Sequence, residues 1–190
     1  MTLLKRAWNF IWHDDSLASW LVNLVLAFVL VKWVIYPGLG LLLGTSFPIV
    51  AVVSGSMEHD GLDFNAWWEH SGQWYESHAI SNKDFLTFPF HNGFRMGDIM
   101  ILRGVQPKDI KIGDVLVYES SRHSNPIIHR VVAIVDDHGE ITFMVKGDHN
   151  SGPDNEVIMA KHIARTGKAV MRLPYLGWVK IWFVRLLGLE

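Results

Sequence analysis

The sequence predicts a mainly β domain carried on an N-terminal transmembrane helix and followed by a C-terminal membrane-associated helix. Three observations carry this expectation. Leu17 to Tyr36 is an almost unbroken apolar run. From Gly97 onward, short apolar segments alternate with turns rich in Gly, Asn and Asp. The last segment, from Leu173, is again apolar but interrupted by charge.

A chain of 190 residues suffices for one domain and an appendage. Apolar residues make up 49% and the net charge is only −2, so nothing marks a basic nucleic-acid surface. Cysteine is absent, which removes disulfides, thiolate zinc sites and a thiol nucleophile from consideration. The ten histidines and nine tryptophans stand out.

Leu17 to Tyr36 (LASWLVNLVLAFVLVKWVIY) has the roughly 20 residues that cross about 30 Å of hydrocarbon. Its apolarity is uniform rather than confined to one stripe, which favours a bilayer over a protein core. No small-x-small cleavage site follows it, as one would after a signal peptide. Trp20, Trp33 and Tyr36 suit the two interfaces, and Lys32 lies where it can snorkel. Pro37 and Gly38 are expected to end the helix. Lys5 and Arg6 precede the span, and beyond it the next basic residue is Lys83. The positive-inside rule then puts residues 1–16 in the cytoplasm and residues 37–172 outside it.

Within residues 37–172, Leu39 to Val53 stays apolar and fits either the membrane surface or a buried strand. DIMILRG and GDVLVYES read as strands entered by Gly-Asp turns. IIHRVVAIVDD and EITFMVKGD, separated by His138-Gly139, read as a hairpin with strands to Val135 and Val145. Ile158 to Met171 supplies one or two more elements. Residues 58–95 break this plan. They are rich in Trp and His, and FNAWWEHSGQWYES fits a short helix inside an insertion whose Trp67, Trp68, Trp74 and Tyr75 suit a lip, a subunit contact or a locally packed surface excursion. Residues 173–190, with Trp178, Lys180, Trp182 and Arg185, are too short and too charged for an ordinary span and fit a helix on the membrane.

VVSGSMEHD ends an apolar run with two serines around a glycine. A serine hydroxyl becomes a nucleophile only when a base takes its proton. His129 differs from the other histidines because it lies inside an apolar strand, PIIHRVV, where a polar ring needs a partner or solvent. In KGDHNSGPDN, either Asp148 or Asp154 could accept from the other ring nitrogen and fix its tautomer. No His-Glu-x-x-His pattern occurs, although His59, Asp60 and His149 could in principle share a metal. No phosphate-binding glycine motif is present, so no metal or cofactor is expected.

Taken in order, the N-terminal anchor, SGSME, MGDIMIL, IGDVLVY, IIHRVVAI and VKGDHNSGPD closely resemble signal peptidase I in its archaeal and endoplasmic-reticulum branch. The similarity runs from Ile49 to Met171 apart from the insertion, and takes in the anchor. It implies a β-rich catalytic domain docked on a membrane and a serine endopeptidase that removes signal peptides after small residues. It implies Ser56 as nucleophile, His129 as general base, in place of the lysine of the bacterial branch, and Asp154 as third member. It further implies Ser54 as an oxyanion donor and Asp148 as a supporting residue. The implied partners are preprotein signal peptides, the lipid bilayer and accessory membrane subunits. Two rival readings are a Ser-Lys processing peptidase with Lys146 as base and an inactive membrane-anchored binding module. The chain departs from the family in two places: His59 stands where proline is usual, and residues 58–95 lengthen the path to Gly97.

Overall fold

The computed structural model describes residues 2–120, 123, 125–186 and 188. The chain divides into two units, Met1–Leu42 and Leu43–Glu190.

In the first unit, α1 (Leu3–His13) is followed by α2 (Leu17–Leu30), which Ser16 caps by accepting from the Ser19 N–H. The apolar helix does not stop at Pro37 and Gly38. It passes through a π turn at Val31–Ile35 and continues as α3 (Tyr36–Leu43), giving 27 helical residues from Leu17 to Leu43. In the π turn the Tyr36 N–H bonds back to the Val31 carbonyl. Widening the helix just before Pro37 makes room for its ring and accommodates its missing N–H, so the proline is absorbed instead of ending the helix. At helical rise, 27 residues cover about 40 Å, enough to cross a bilayer with tilt. Two polar side chains of α2 are satisfied by α1. Ser19 Oγ donates to the Phe10 carbonyl at 2.5 Å, and Asn23 Nδ2 donates to the Ile11 carbonyl at 2.8 Å.

The second unit is built on an antiparallel sheet. Among the described residues its strands are β1 (Ile49–Ala51), β2 (Ile99–Arg103), β3 (Val115–Tyr118), β4 (Ile127–Asp137), β5 (Glu140–Lys146), β6 (Ile158–Met159) and β7 (Gly167–Leu173). They lie in the order β1-β2-β7-β3-β4-β5-β6. The apolar run before the serines therefore supplies an edge strand, paired to β2 with Val50 opposite Met100.

The Gly-Asp turns before β2 and β3 share one construction. Gly97 and Gly113 take positive φ, at 88° and 92°, and the following aspartate folds back onto an N–H three residues earlier. Asp98 accepts from Arg95 N, and Asp114 from Lys111 N. The hairpin strands reach Asp137 and Glu140, two residues past the expected end of the first. His138 and Gly139 alone form the turn, both with positive φ, as a type I′ connection requires.

Strand period explains the core. In β3, Val115 and Val117 face one cluster with Met57, Met100 and Leu102, while Leu116 and Tyr118 face another with Val131, Phe143 and Val145. A third cluster belongs to the insertion. FNAWWEHSGQWYES is α4 (Phe64–Ser77), capped by Asp63, and α5 (Asn82–Leu86) follows with a Ser81–Asp84 capping box. Phe64, Trp67, Tyr75, Ile80 and Phe85 pack together on Val132 of β4. Trp67 and Tyr75 are buried, so they do not form a lip, and Trp68 and Trp74 are only partly exposed. Aromatic packing drives this result: seven rings in 25 residues bury more favourably on each other than in water.

After β6, α6 (Ala160–Ile163) leads to β7, and α7 (Trp178–Leu186) ends the described helices. Trp178 packs over Gly97 and Ile181 is buried, while Val179, Trp182 and Leu186 form an exposed apolar face. Of the expected 173–190 segment, Leu187, Leu189 and Glu190 lie outside the described residues.

Candidate active site

Ser54, Gly55 and Ser56 occupy the turn after β1. The turn is held on both sides of β1's exit: Val52 N donates to the Asp98 carbonyl, and Gly97 N donates to the Val52 carbonyl. Within the turn, Glu58 N donates to the Gly55 carbonyl at 3.0 Å. Met57 acts as the plug. Its side chain is buried in the core beside Met100, so the two serines before it are pushed outward. Ser56 is half-buried, Ser54 is exposed, and their hydroxyl oxygens are 3.3 Å apart.

His129 stands in β4 opposite Leu116 of β3, and its side chain is 8% exposed. Its Nδ1 is 2.6 Å from Asp154 Oδ2. A carboxylate only accepts, so Nδ1 carries the proton and Nε2 is left as the acceptor. Asp154 is fixed from two further directions: its N–H donates to the Val145 carbonyl, and the Tyr118 hydroxyl donates to its Oδ2. Burial acts to raise the Asp154 carboxyl, but the hydrogen bonds from His129 and Tyr118 prevail and hold it below the usual carboxylate range. Tyr118 was missed by reasoning from sequence. The available signal was a hydroxyl at the end of a wholly buried strand, which needs an acceptor.

Gly147 lets these parts meet. A Cβ there would stand 2.6 Å from the Ser56 carbonyl oxygen and 2.9 Å from His129 Nε2. His129 Nε2, the Ser56 carbonyl and the Asn150 side-chain amide nitrogen, 2.8 Å away, thus close on one point at this glycine. The loop is tied to the serine turn by His149 N, which donates to the Ser56 carbonyl at 2.9 Å, and by Asp148 N, which reaches Met57 Sδ at 3.4 Å.

Asp148 does not join this group. Its buried carboxylate pairs with Arg130, through Nε at 2.9 Å and Nη2 at 2.7 Å. Burial opposes the charge, but Arg130 overrides it and holds the Asp148 carboxyl far below the usual range. Lys146 is also buried. Burial lowers its amine to about 8, against the opposing pull of Asp148. Its Nζ donates to the Gly147 carbonyl at 3.0 Å and lies over the rings of Trp74 and Tyr75. The three residues of the candidate metal set fall into two pairs, His59 with Asp148 and His149 with Asp60.

No family model matches the chain. It is similar to the signal peptidase complex catalytic subunit SEC11C of Homo sapiens, 28% identical over 155 residues, which cover 77% of this chain and 62% of the relative. It is similar to the catalytic subunit SEC11 of Zygosaccharomyces rouxii, 28% identical over 167 residues, covering 84% and 80%. It is also similar to SEC11 of Saccharomyces cerevisiae, 27% identical over 157 residues, covering 79% and 74%. The chain therefore spans a little under two thirds of the SEC11C length. An anchor-length apolar helix, the β-rich unit and these alignments agree: the chain is a homologue of the catalytic subunits of the signal peptidase complex, the endoplasmic-reticulum branch of signal peptidase I.

Proposed function

We propose that the chain is a membrane-bound serine endopeptidase that removes N-terminal signal peptides from exported preproteins after small residues. One observation supports this reading above the others: a histidine whose Nδ1 is engaged by Asp154 turns its free Nε2 toward the Ser56 turn across a glycine. In the proposed reaction, His129 takes the Ser56 proton as the hydroxyl attacks the scissile carbonyl. The Ser56 N–H, assisted by the Ser54 hydroxyl, holds the oxyanion, and such a donor lowers the barrier by roughly 3 kcal/mol. His129 then hands its proton to the leaving amine, and water releases the acyl group by the same route.

The Lys146 alternative has weaker support. An amine lowered to about 8 is chemically able to act as a base, but its donors are engaged by its own loop and by Tyr75. The helix Leu17–Leu43 serves as the anchor, with Lys5 and Arg6 on the cytoplasmic side and the β-rich unit opposite. Enzyme and signal peptide then share one membrane, which raises their effective concentration. The relatives are named as subunits of a complex, and accessory membrane subunits are proposed here too.

The test is cleavage of a preprotein by the full chain in liposomes, read as the new N-terminus by mass spectrometry. Ser56→Ala should reduce cleavage by at least about 10³-fold. Cleavage at the parental rate by that variant would refute the assignment. Gly147→Ala is a subtler probe, because every reacting group remains. Its methyl would crowd the Ser56 carbonyl, the Asn150 amide and His129 Nε2 together, and a shift of Ser56 or His129 near 1 Å should cost about 10²-fold in kcat. Parental kcat in Gly147→Ala would show that the base does not work across this point.

A further inference from the structure

We propose that His59 and Tyr75, both supplied by the 58–95 insertion, are positioning residues for Ser56: they complete the hydrogen-bond shell of Asp148, and through it fix the loop that sets the serine turn against His129. This rests on the proposed role of Ser56 and extends it to a segment the catalytic motifs do not include.

Asp148 is buried, so each of its lone pairs needs a protein donor. An ionised carboxylate offers about four acceptor sites. Arg130 fills two of them. Tyr75 OH donates to Oδ1 at 3.0 Å, and His59 Nε2 lies 3.2 Å from Oδ2. Half of the shell therefore comes from the insertion. Because Asp148 can only accept, His59 carries its proton on Nε2. Its Nδ1 is buried without a partner among the described residues, and its ring is stacked on Trp67 at 3.7 Å. A buried histidine that leaves one nitrogen unsatisfied has its orientation dictated by the other.

The insertion closes the far side of the pair as well. Arg130 has five N–H groups. Two go to Asp148 and one to the Gly113 carbonyl. The remaining two go to the Pro89 and Phe90 carbonyls, and the guanidinium lies 4.6 Å over the Phe85 ring. All five donors are thereby placed, two of them by the insertion.

The connection to the serine is short. His59 follows Ser56 by three residues, and the insertion returns at Phe94, whose N–H donates to the Met57 carbonyl at 3.0 Å. Asp148 and its neighbour His149 meet Met57 and Ser56 from the other side. The segment thus leaves the nucleophile turn, wraps the ion pair and comes back to the same turn. This accounts for a histidine where the family has proline: proline has no side-chain donor for Asp148.

The test uses the full chain with two readouts, preprotein cleavage and the rate at which a fluorophosphonate labels Ser56. Tyr75→Phe removes one hydroxyl, and His59→Phe keeps a ring for Trp67 but removes the donor. Each should lower kcat and the labelling rate roughly tenfold, with KM within about twofold. His59→Gln, which retains an N–H donor, should recover most of the loss, a rescue that stacking alone would not give. Parental kcat and labelling in both Tyr75→Phe and His59→Phe would overturn the proposal. If His59→Phe does not fold, Tyr75→Phe alone decides. Ser56→Ala, run alongside, separates the two failures: continued cleavage by that variant defeats the serine mechanism itself, whereas its inactivity beside fully active Tyr75→Phe and His59→Phe defeats only the positioning role.

Discussion

Replacing Asp154 by asparagine is expected to lower kcat for preprotein cleavage by at least about 10²-fold, with little change in KM. The reason is the charge. The carboxylate holds the proton of His129 on Nδ1, at 2.6 Å, and leaves Nε2 free to accept. Tyr118 and His129 Nδ1 share the same oxygen, Oδ2, so in the variant an amide oxygen at that place can still accept from both. It carries no full negative charge, and the imidazolium that forms when His129 takes the Ser56 proton loses its counter-charge. His129→Ala should fall at least as far. Steady-state kinetics on both variants provide the check. If Asp154→Asn stays within tenfold of the parent while Asp148→Asn is inactive, the third role belongs to Asp148.

The largest effect on stability is expected from Asp148→Ala. The substitution strands a guanidinium that has no access to solvent, together with the Tyr75 hydroxyl. Breaking a buried pair in this way costs about 3–5 kcal/mol. For a unit of this size that lowers the melting temperature by roughly 10–20 °C. The double replacement Arg130→Met with Asp148→Leu should recover part of the loss, because it removes both charges together. Thermal melts of the full chain decide, and a change of only a degree or two in Asp148→Ala would contradict the account. The pH dependence has a definite sign. Asp148 is held below its unfolded value, so its contribution is complete above the ordinary carboxylate range and is lost only as pH falls below that range.

The parts legible in the sequence were those with local signatures. The apolar helix, the Gly-Asp turns, the two-residue hairpin turn and the α4 helix depend on composition and short spacings, and all four are in the fold. Ser56, His129 and Asp154 were readable only as ordered motifs; in the fold the Ser56 carbonyl and His129 Nε2 approach Gly147, and Asp154 pairs with His129. The stop at Pro37 was misjudged because a π turn can absorb a proline, which no residue preference announces. The insertion stayed open in the sequence because tryptophan suits both a membrane lip and a core. The choice was settled by Val132, which lies far along the chain and gives the rings something to cover. Tyr118 was missed, and His59 was singled out without its partner, for a related reason. Their meaning lies in an acceptor brought near by strand pairing, and neither sequence neighbourhood contains it.

Ser19 and Asn23 count against a membrane span when residues are summed one by one. Their hydrogen-bonding groups are nevertheless engaged by the Phe10 and Ile11 carbonyls, the open backbone ends of the preceding helix. Each helix thus masks polarity that the other would have to expose, and hydrocarbon penalises unmasked polarity by several kcal/mol per group. Compatibility with lipid is in this sense a property of the two-helix corner and not of either segment. A truncation that removes residues 2–13 would leave a more polar span behind, although every residue of that span is unchanged.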